Sequence, residues 1–167
     1  MRILFIGDVV GRPGRKALRV LLPGLKDSYD VDFCIANGEN AAGGKGITEK
    51  VAEEMFSYGV DVLTSGNHIW DRKEGISYVQ SASRLLRPAN YPPDVGGIGY
   101  GAFPSRSGVL VGVINLQGRT FMPATDCPFR TALRILEEMD LPVKFVDFHA
   151  EATSEKVAMG WFLDGKV

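Results

Sequence analysis

At 167 residues, 45% of them hydrophobic, the chain is long enough to bury one real core. Its net charge of −1, from 19 basic and 20 acidic residues, argues against a protein built to grip nucleic-acid backbones, though not against a nucleotide in a small pocket. No apolar run approaches the ~20 residues that span a bilayer, the N-terminal run stops at Asp8 with no cleavage-site pattern, and the two cysteines, Cys34 and Cys127, suit a reducing, cytoplasmic compartment.

The first strand is expected from Arg2 to Ile6, with a helix beginning near Pro13 or Gly14, where proline is tolerated. Ala17, Leu18, Leu21, Leu22 and Leu25 give that helix an apolar stripe, and Pro23 is expected to kink it or end its regular part. Arg12, Arg15, Lys16 and Arg19 read as its solvated face. A second strand, Phe33 to Ala36, contains Cys34 as a buried thiol and runs into a glycine-rich segment from Gly38 to Gly46. That segment is not a phosphate loop of the Walker type, because Glu39 and Gly46 stand where glycine and Ser or Thr are needed. Thr48 caps a helix that ends at Gly59, with Val51, Ala52, Met55 and Phe56 inward.

A third strand covers Val62 to Thr64, followed by a short helix around Glu74 to Gln80. Leu85 to Asn90 reads as a short strand leading into a surface loop, Tyr91 to Gly101. Tyr100 to Phe103 and Val109 to Leu116 pair as a hairpin around Ser105 to Gly108. A helix from Pro128 to Met139 with Phe129, Ala132, Leu133 and Leu136 inward, a strand from Val143 to Phe148 and a helix from Ser154 to Leu163 complete a single α/β domain, 1–167.

Four of these strands end in groups that do chemistry: Asp8, the Asn37-Gly38-Glu39-Asn40 run, the Gly66-Asn67-His68 run, and His149. Parallel strands place functional groups at their carboxyl ends. Hard oxygens with imidazoles suit Mn, Fe or Zn better than Ca or a thiolate-bound metal. The metal-ligand candidates are therefore Asp8, Glu39, Asn40, Asn67 and His149, with Glu39 as the carboxylate able to bridge two cations. His68 follows a ligand directly, so it is the candidate catalytic residue, with Asp71 or a backbone carbonyl fixing its tautomer. Lys45 and Arg119 are the substrate-binding candidates.

These residues, with Gly-Lys-Gly-Ile-Thr at 44–48, Arg-Pro-Ala-Asn at 87–90, Asn-Leu-Gln-Gly-Arg-Thr-Phe-Met at 115–122 and Asp-Phe-His-Ala-Glu-Ala-Thr-Ser-Glu-Lys at 147–156, resemble the YmdB-like branch of the calcineurin-like metallophosphoesterases. The resemblance implies a four-layer α/β/β/α sandwich with mixed sheets. It also implies two divalent ions, Fe or Mn ahead of Zn or Mg, and hydrolysis of 2′,3′-cyclic nucleotides through a metal-bridging hydroxide. By position it assigns Asp8, Glu39, Asn40, Asn67 and His149 as ligands and His68 as the catalytic histidine. Relative to the wider superfamily, no histidine stands two residues after Asp8, and Glu39 replaces the usual bridging aspartate. The family pattern continues into a Gly-Thr-His-Thr-His segment and closing strands that the 167 residues do not contain. The expectation is thus an incomplete domain with weakened metal binding. The expected partner is a small nucleotide or phosphodiester, with no membrane and no stable nucleic-acid partner, and self-association is left open. A non-catalytic binding or scaffold domain on the same fold is the alternative.

Overall fold

A computed structural model describes residues 1–167 as a mixed α/β fold. The first half alternates strand and helix: β1 (Ile3–Ile6), α1 (Gly11–Ser28), β2 (Phe33–Asn37), α2 (Glu49–Ser57), β3 (Val62–Thr64), a 3-10 turn (Asn67–Trp70) and α3 (Lys73–Ser81). Its three strands form one parallel sheet, in the order β1-β2-β3. β2 is buried along its whole length, which is why Phe33-Cys34-Ile35-Ala36 is continuously apolar rather than alternating. The second half supplies β4 (Tyr100–Pro104), β5 (Leu110–Gln117), α4 (Pro128–Glu138), β6 (Lys144–His149) and α5 (Thr153–Leu163). β4 and β5 form the expected hairpin, while β6 pairs parallel to β5 with Gln117 opposite His149.

Three apolar clusters hold these elements together. Leu18, Leu22, Ala52 and Met55 pack with Cys34, Ala36 and Leu63, joining the helices of the first half to its sheet. Phe33, Ile35 and Val62 pack with Phe103, Val111 and Val113, joining sheet to sheet. Ile114 and Leu116 pack with Ala132, Ile135, Met159 and Leu163, joining the second sheet to α4 and α5. Thr48 caps α2 by accepting the Val51 amide at 3.4 Å, and Gly59, at φ +106°, ends that helix in a conformation side chains avoid.

Several expectations are corrected. α1 starts at Gly11 and runs through Pro23 to Ser28. Pro23 and Arg19, four residues before it, are both exposed; the carbonyl that proline leaves without an amide partner therefore lies on the solvent side, where water can serve it. Of the apolar stripe only Leu18 and Leu22 are buried, while Leu21 stays 58% exposed. Arg15 is no solvated residue: it donates to Glu54 at 3.0 Å and to the Ala41 carbonyl at 2.5 Å, so α1 steadies the loop after β2. Leu85 and Leu86 make isolated bridges to Leu63 and Ile98 instead of a strand. In α4 the buried side chains include Thr131, Ala132 and Ile135, with Phe129 and Leu136 only packed against them.

β1 and β6 are each an edge strand of their sheet. They touch through Phe5 and Phe145, whose ring centroids lie 5.1 Å apart. On this flank Phe5 and Leu25 are more than a third exposed. An apolar hollow of about 250 Å³ lies between β1 and α1, and a groove of about 490 Å³ between β6 and α5.

Candidate metal centre

Parallel pairing brings the carboxyl ends of β1, β2 and β3 to one end of the first sheet, and β6 delivers His149 to the same place. Glu39, only 2% exposed, is the hub. Its Oε1 lies 3.1 Å from His149 Nε2 and 3.7 Å from His68 Nδ1. His149 Nε2 is also 3.2 Å from Asn67 Oδ1. The Asn40 amide nitrogen donates to both Asp8 oxygens, at 2.9 and 3.1 Å, and to Glu39 Oε1 at 3.1 Å. Asn40 Oδ1 accepts from His68 Nδ1 at 2.9 Å. All six candidates (Asp8, Glu39, Asn40, Asn67, His68 and His149) thus sit in one linked group.

Gly66 makes that proximity sterically feasible. A Cβ there would lie 2.1 Å from Glu39 Oε2 and 2.3 Å from His149 Cδ2, so any other residue would push the two apart. The glycine is required by close approach rather than by its backbone angle, since φ is −152°.

The electrostatics follow from burial. Glu39 is pushed up to about 7 by desolvation, with the Asp8 charge adding to the effect. Burial likewise raises the Asp147 carboxyl and lowers His149. A lowered imidazole is neutral, the form that binds a metal. A cation would reverse the penalty on Glu39 by favouring the carboxylate.

Whether the residues fit a metal turns on their donor chemistry. No three His, Cys, Asp or Glu side chains form a metal-holding group by themselves. The set becomes adequate only with amide oxygens. Glu39 Oε1 and Asn67 Oδ1 stand 3.1 and 3.2 Å from His149 Nε2, close to the roughly 3.0–3.4 Å that separates neighbouring ligands of a cation bound at about 2.1 Å. In donor type and in these two separations the three are of the kind a transition-metal ion takes. Asn40 presents its N–H group, not its oxygen, to the two carboxylates; it would ligate only after turning its amide over.

The expected anchor for His68 is replaced. Its Nδ1 bonds Asn40 Oδ1, not Asp71. Lys45 is exposed, and its carbonyl accepts from Arg72 Nε at 2.9 Å. Arg119 is exposed too; its backbone amide donates to both Glu155 oxygens, at 3.0 and 3.1 Å. Neither side chain makes a hydrogen bond or ion pair with the six-residue group.

Sequence reasoning missed a second layer. Asn37 donates to Asp147 Oδ2 at 3.0 Å and accepts the Glu39 amide at 3.2 Å. Asn115 exchanges two bonds with the Ser65 backbone. The available signal was the polar residues inside otherwise apolar strands: Asn37 in β2, Asn115 in β5 and Asp147 in β6.

Carboxylate, amide and imidazole donors thus converge at the carboxyl ends of parallel-paired strands, where α/β proteins place their ligands. Residues 4–167 match the family model described as "YmdB-like protein", and the chain belongs to that family. A 2′,3′-cyclic-nucleotide 2′-phosphodiesterase of Bacillus subtilis (strain 168) is 49% identical over 168 residues, covering 99% of this chain and 63% of the relative. The crystal structure of a hypothetical protein from Thermus thermophilus superposes with a TM-score of 0.92 at 44% identity, over 99% of this chain and 64% of that one. A structure titled as a novel phosphatase, from Mycoplasma pneumoniae, gives a TM-score of 0.91 at 35% identity, over 99% and 60%. The chain spans less than two thirds of each of these relatives.

Proposed function

We propose that the chain is a metal-dependent phosphodiesterase acting on small phosphodiesters, 2′,3′-cyclic nucleotides above all, from one α/β/β/α domain. The observation that carries this is the meeting of Glu39 and Asn67 from one sheet with His149 from the other, at 3.1 and 3.2 Å. The three apolar clusters, helix to sheet, sheet to sheet and sheet to helix, support the four-layer arrangement.

In this reading Glu39, Asn67 and His149 would hold one divalent ion and Asp8 and Glu39 a second, while Asn40, its oxygen kept on His68 Nδ1, steadies both carboxylates through its N–H group. Bound ions of this kind neutralise phosphate charge and activate water for in-line attack. The protein's own groups do the rest. Asn40 Oδ1 fixes a proton on His68 Nδ1, which leaves Nε2 to exchange a proton with the oxygen that departs from phosphorus. Burial of Glu39 keeps bulk water from screening the site. Lys45 and Arg119, both on exposed loops, would reach the phosphate or sugar only once substrate is in place.

The test is hydrolysis of bis-p-nitrophenyl phosphate and 2′,3′-cyclic AMP with Mn(II) or Fe(II), in wild type and Asn67→Ala. Turnover that needs the ion and collapses in Asn67→Ala supports the reading. Ion or nucleotide binding with no turnover by either protein would favour a binding module on the same fold.

A further inference from the structure

We propose that Asn115 is a positioning residue: from the second sheet it locks the Ser65 backbone of the first, and so sets Asn67 and His68 relative to His149. The inference rests on the phosphodiesterase reading for its kinetic consequence but not for its geometry. Ser65 N donates to Asn115 Oδ1 at 2.9 Å, and Asn115 Nδ2 donates to the Ser65 carbonyl at 3.1 Å. This two-bond ring imitates the exchange between paired residues of an antiparallel ladder, but a side chain makes it, across the gap between the sheets. Both residues are fully buried. The backbone of Asn115 is itself held, its amide by the Gly99 carbonyl at 3.0 Å and its carbonyl by the Ala89 amide at 2.7 Å. Its side chain therefore has a fixed origin.

The need for such a lock follows from what else joins the sheets. Besides the Asn37–Asp147 bond at 3.0 Å, which acts on β2 and not on the Ser65 turn, the sheets meet through apolar contact of Phe33, Ile35 and Val62 with Phe103, Val111 and Val113, which is non-directional and tolerates small sliding. The site tolerates little, because its donors come from both sheets and a displacement of ~1 Å can cost about 10²-fold in rate. Ser65 lies two residues before Asn67, with Gly66 between them, so a bond at Ser65 acts directly on the turn that carries Asn67 and His68. Asn115 also faces Asp147 in the β5–β6 register, two residues before His149. One strand position thus refers the first sheet's half of the site to the second sheet's half.

The protein's two histidines make the test readable, since imidazole ¹H–¹⁵N spectra show His68 and His149 alone. Asn115→Ala is compared with Val113→Ala, which truncates a fully buried side chain on the same strand without touching the ring. In the metal-free proteins, Asn115→Ala is expected to shift and broaden the His68 signals, while Val113→Ala leaves them in place. In the metal-loaded proteins kcat should fall by about 10²-fold in Asn115→Ala alone, with KM unchanged. Should Asn115→Ala not fold, hydrogen exchange in the wild type decides: the Ser65 amide is expected to be as protected as core β2 amides. A Ser65 amide that exchanges like a loop, or His68 signals that respond equally to both substitutions, overturns the inference. An inactive wild type whose His68 signals still move only in Asn115→Ala overturns the phosphodiesterase reading and leaves this one standing.

Discussion

The two sheets meet at one end through hydrogen bonds and at their outer flank through aromatic surface. At the strand ends Asn37, Ser65, Asn115 and Asp147 are buried and paired with one another. At the outer flank Phe5 and Phe145 meet with their rings tilted by 42°, while Phe5 of β1 and Leu21 and Leu25 of α1 stay partly open to solvent. The first contact is directional and fails if one partner is removed, because a buried polar group is left unsatisfied. The second is forgiving. Position is held where the chemistry is, and tolerance is left where the sheets end.

That contrast can be broken at several places. The largest effect is expected at the hub. Glu39→Gln should lower metal-activated hydrolysis by about 10²–10³-fold, from the loss of a charged electrostatic contribution, and titration calorimetry should show weaker Mn(II) binding. His68→Ala should reduce kcat by about 10²-fold or more while leaving the same ion affinity, since its Nδ1 contacts Asn40 rather than standing among the three donors at His149. Gly66→Ala forces Glu39 and His149 apart; overpacking of this kind costs about 1–3 kcal/mol, visible as a lower unfolding temperature even without metal.

A pH experiment isolates the buried carboxyl. In the folded, metal-free chain Glu39 keeps its proton up to about pH 7, against 4.5 for a free glutamate. The folded state therefore holds more protons, so this group's contribution to stability is complete below pH 4.5 and is lost as pH rises through 7, by roughly 3 kcal/mol. His149, lowered by burial, acts in the opposite sense below its ordinary value of 6.5. Denaturant midpoints of Glu39→Gln should consequently exceed those of wild type at pH 8 and converge with them at pH 4.5. The smallest effect belongs to the forgiving flank. Leu21→Glu should change stability by no more than about 0.5 kcal/mol, read from denaturant midpoints, and lower any light-scattering mass above that of one chain. An unchanged scattering profile would show that the exposed apolar face is inert.

Much of the candidate site was legible because strand ends announce themselves: an apolar run, a glycine, then Asp8, Glu39 or Asn67, and an apolar run ending directly in His149. What stayed hidden depends on which residues meet across the sheets. Asn37 and Asp147 are 110 positions apart, and nothing local says that one amide will bond the other's carboxylate. Asn40 was legible as a polar residue beside Glu39 but not as the anchor of His68, since its amide could face either way. Pro23 does not end α1, because the Arg19 carbonyl it leaves without an amide faces solvent.

Cys34 offers an intrinsic clock for how often the molecule opens. Its thiol is wholly enclosed and burial pushes its ionisation up to about 12, whereas Cys127 is partly accessible. An alkylating reagent should modify Cys127 promptly and Cys34 only when β2 leaves its place between β1 and β3. The slow phase of labelling would then time the excursions of the strand that leads into Glu39, with no probe added to the chain.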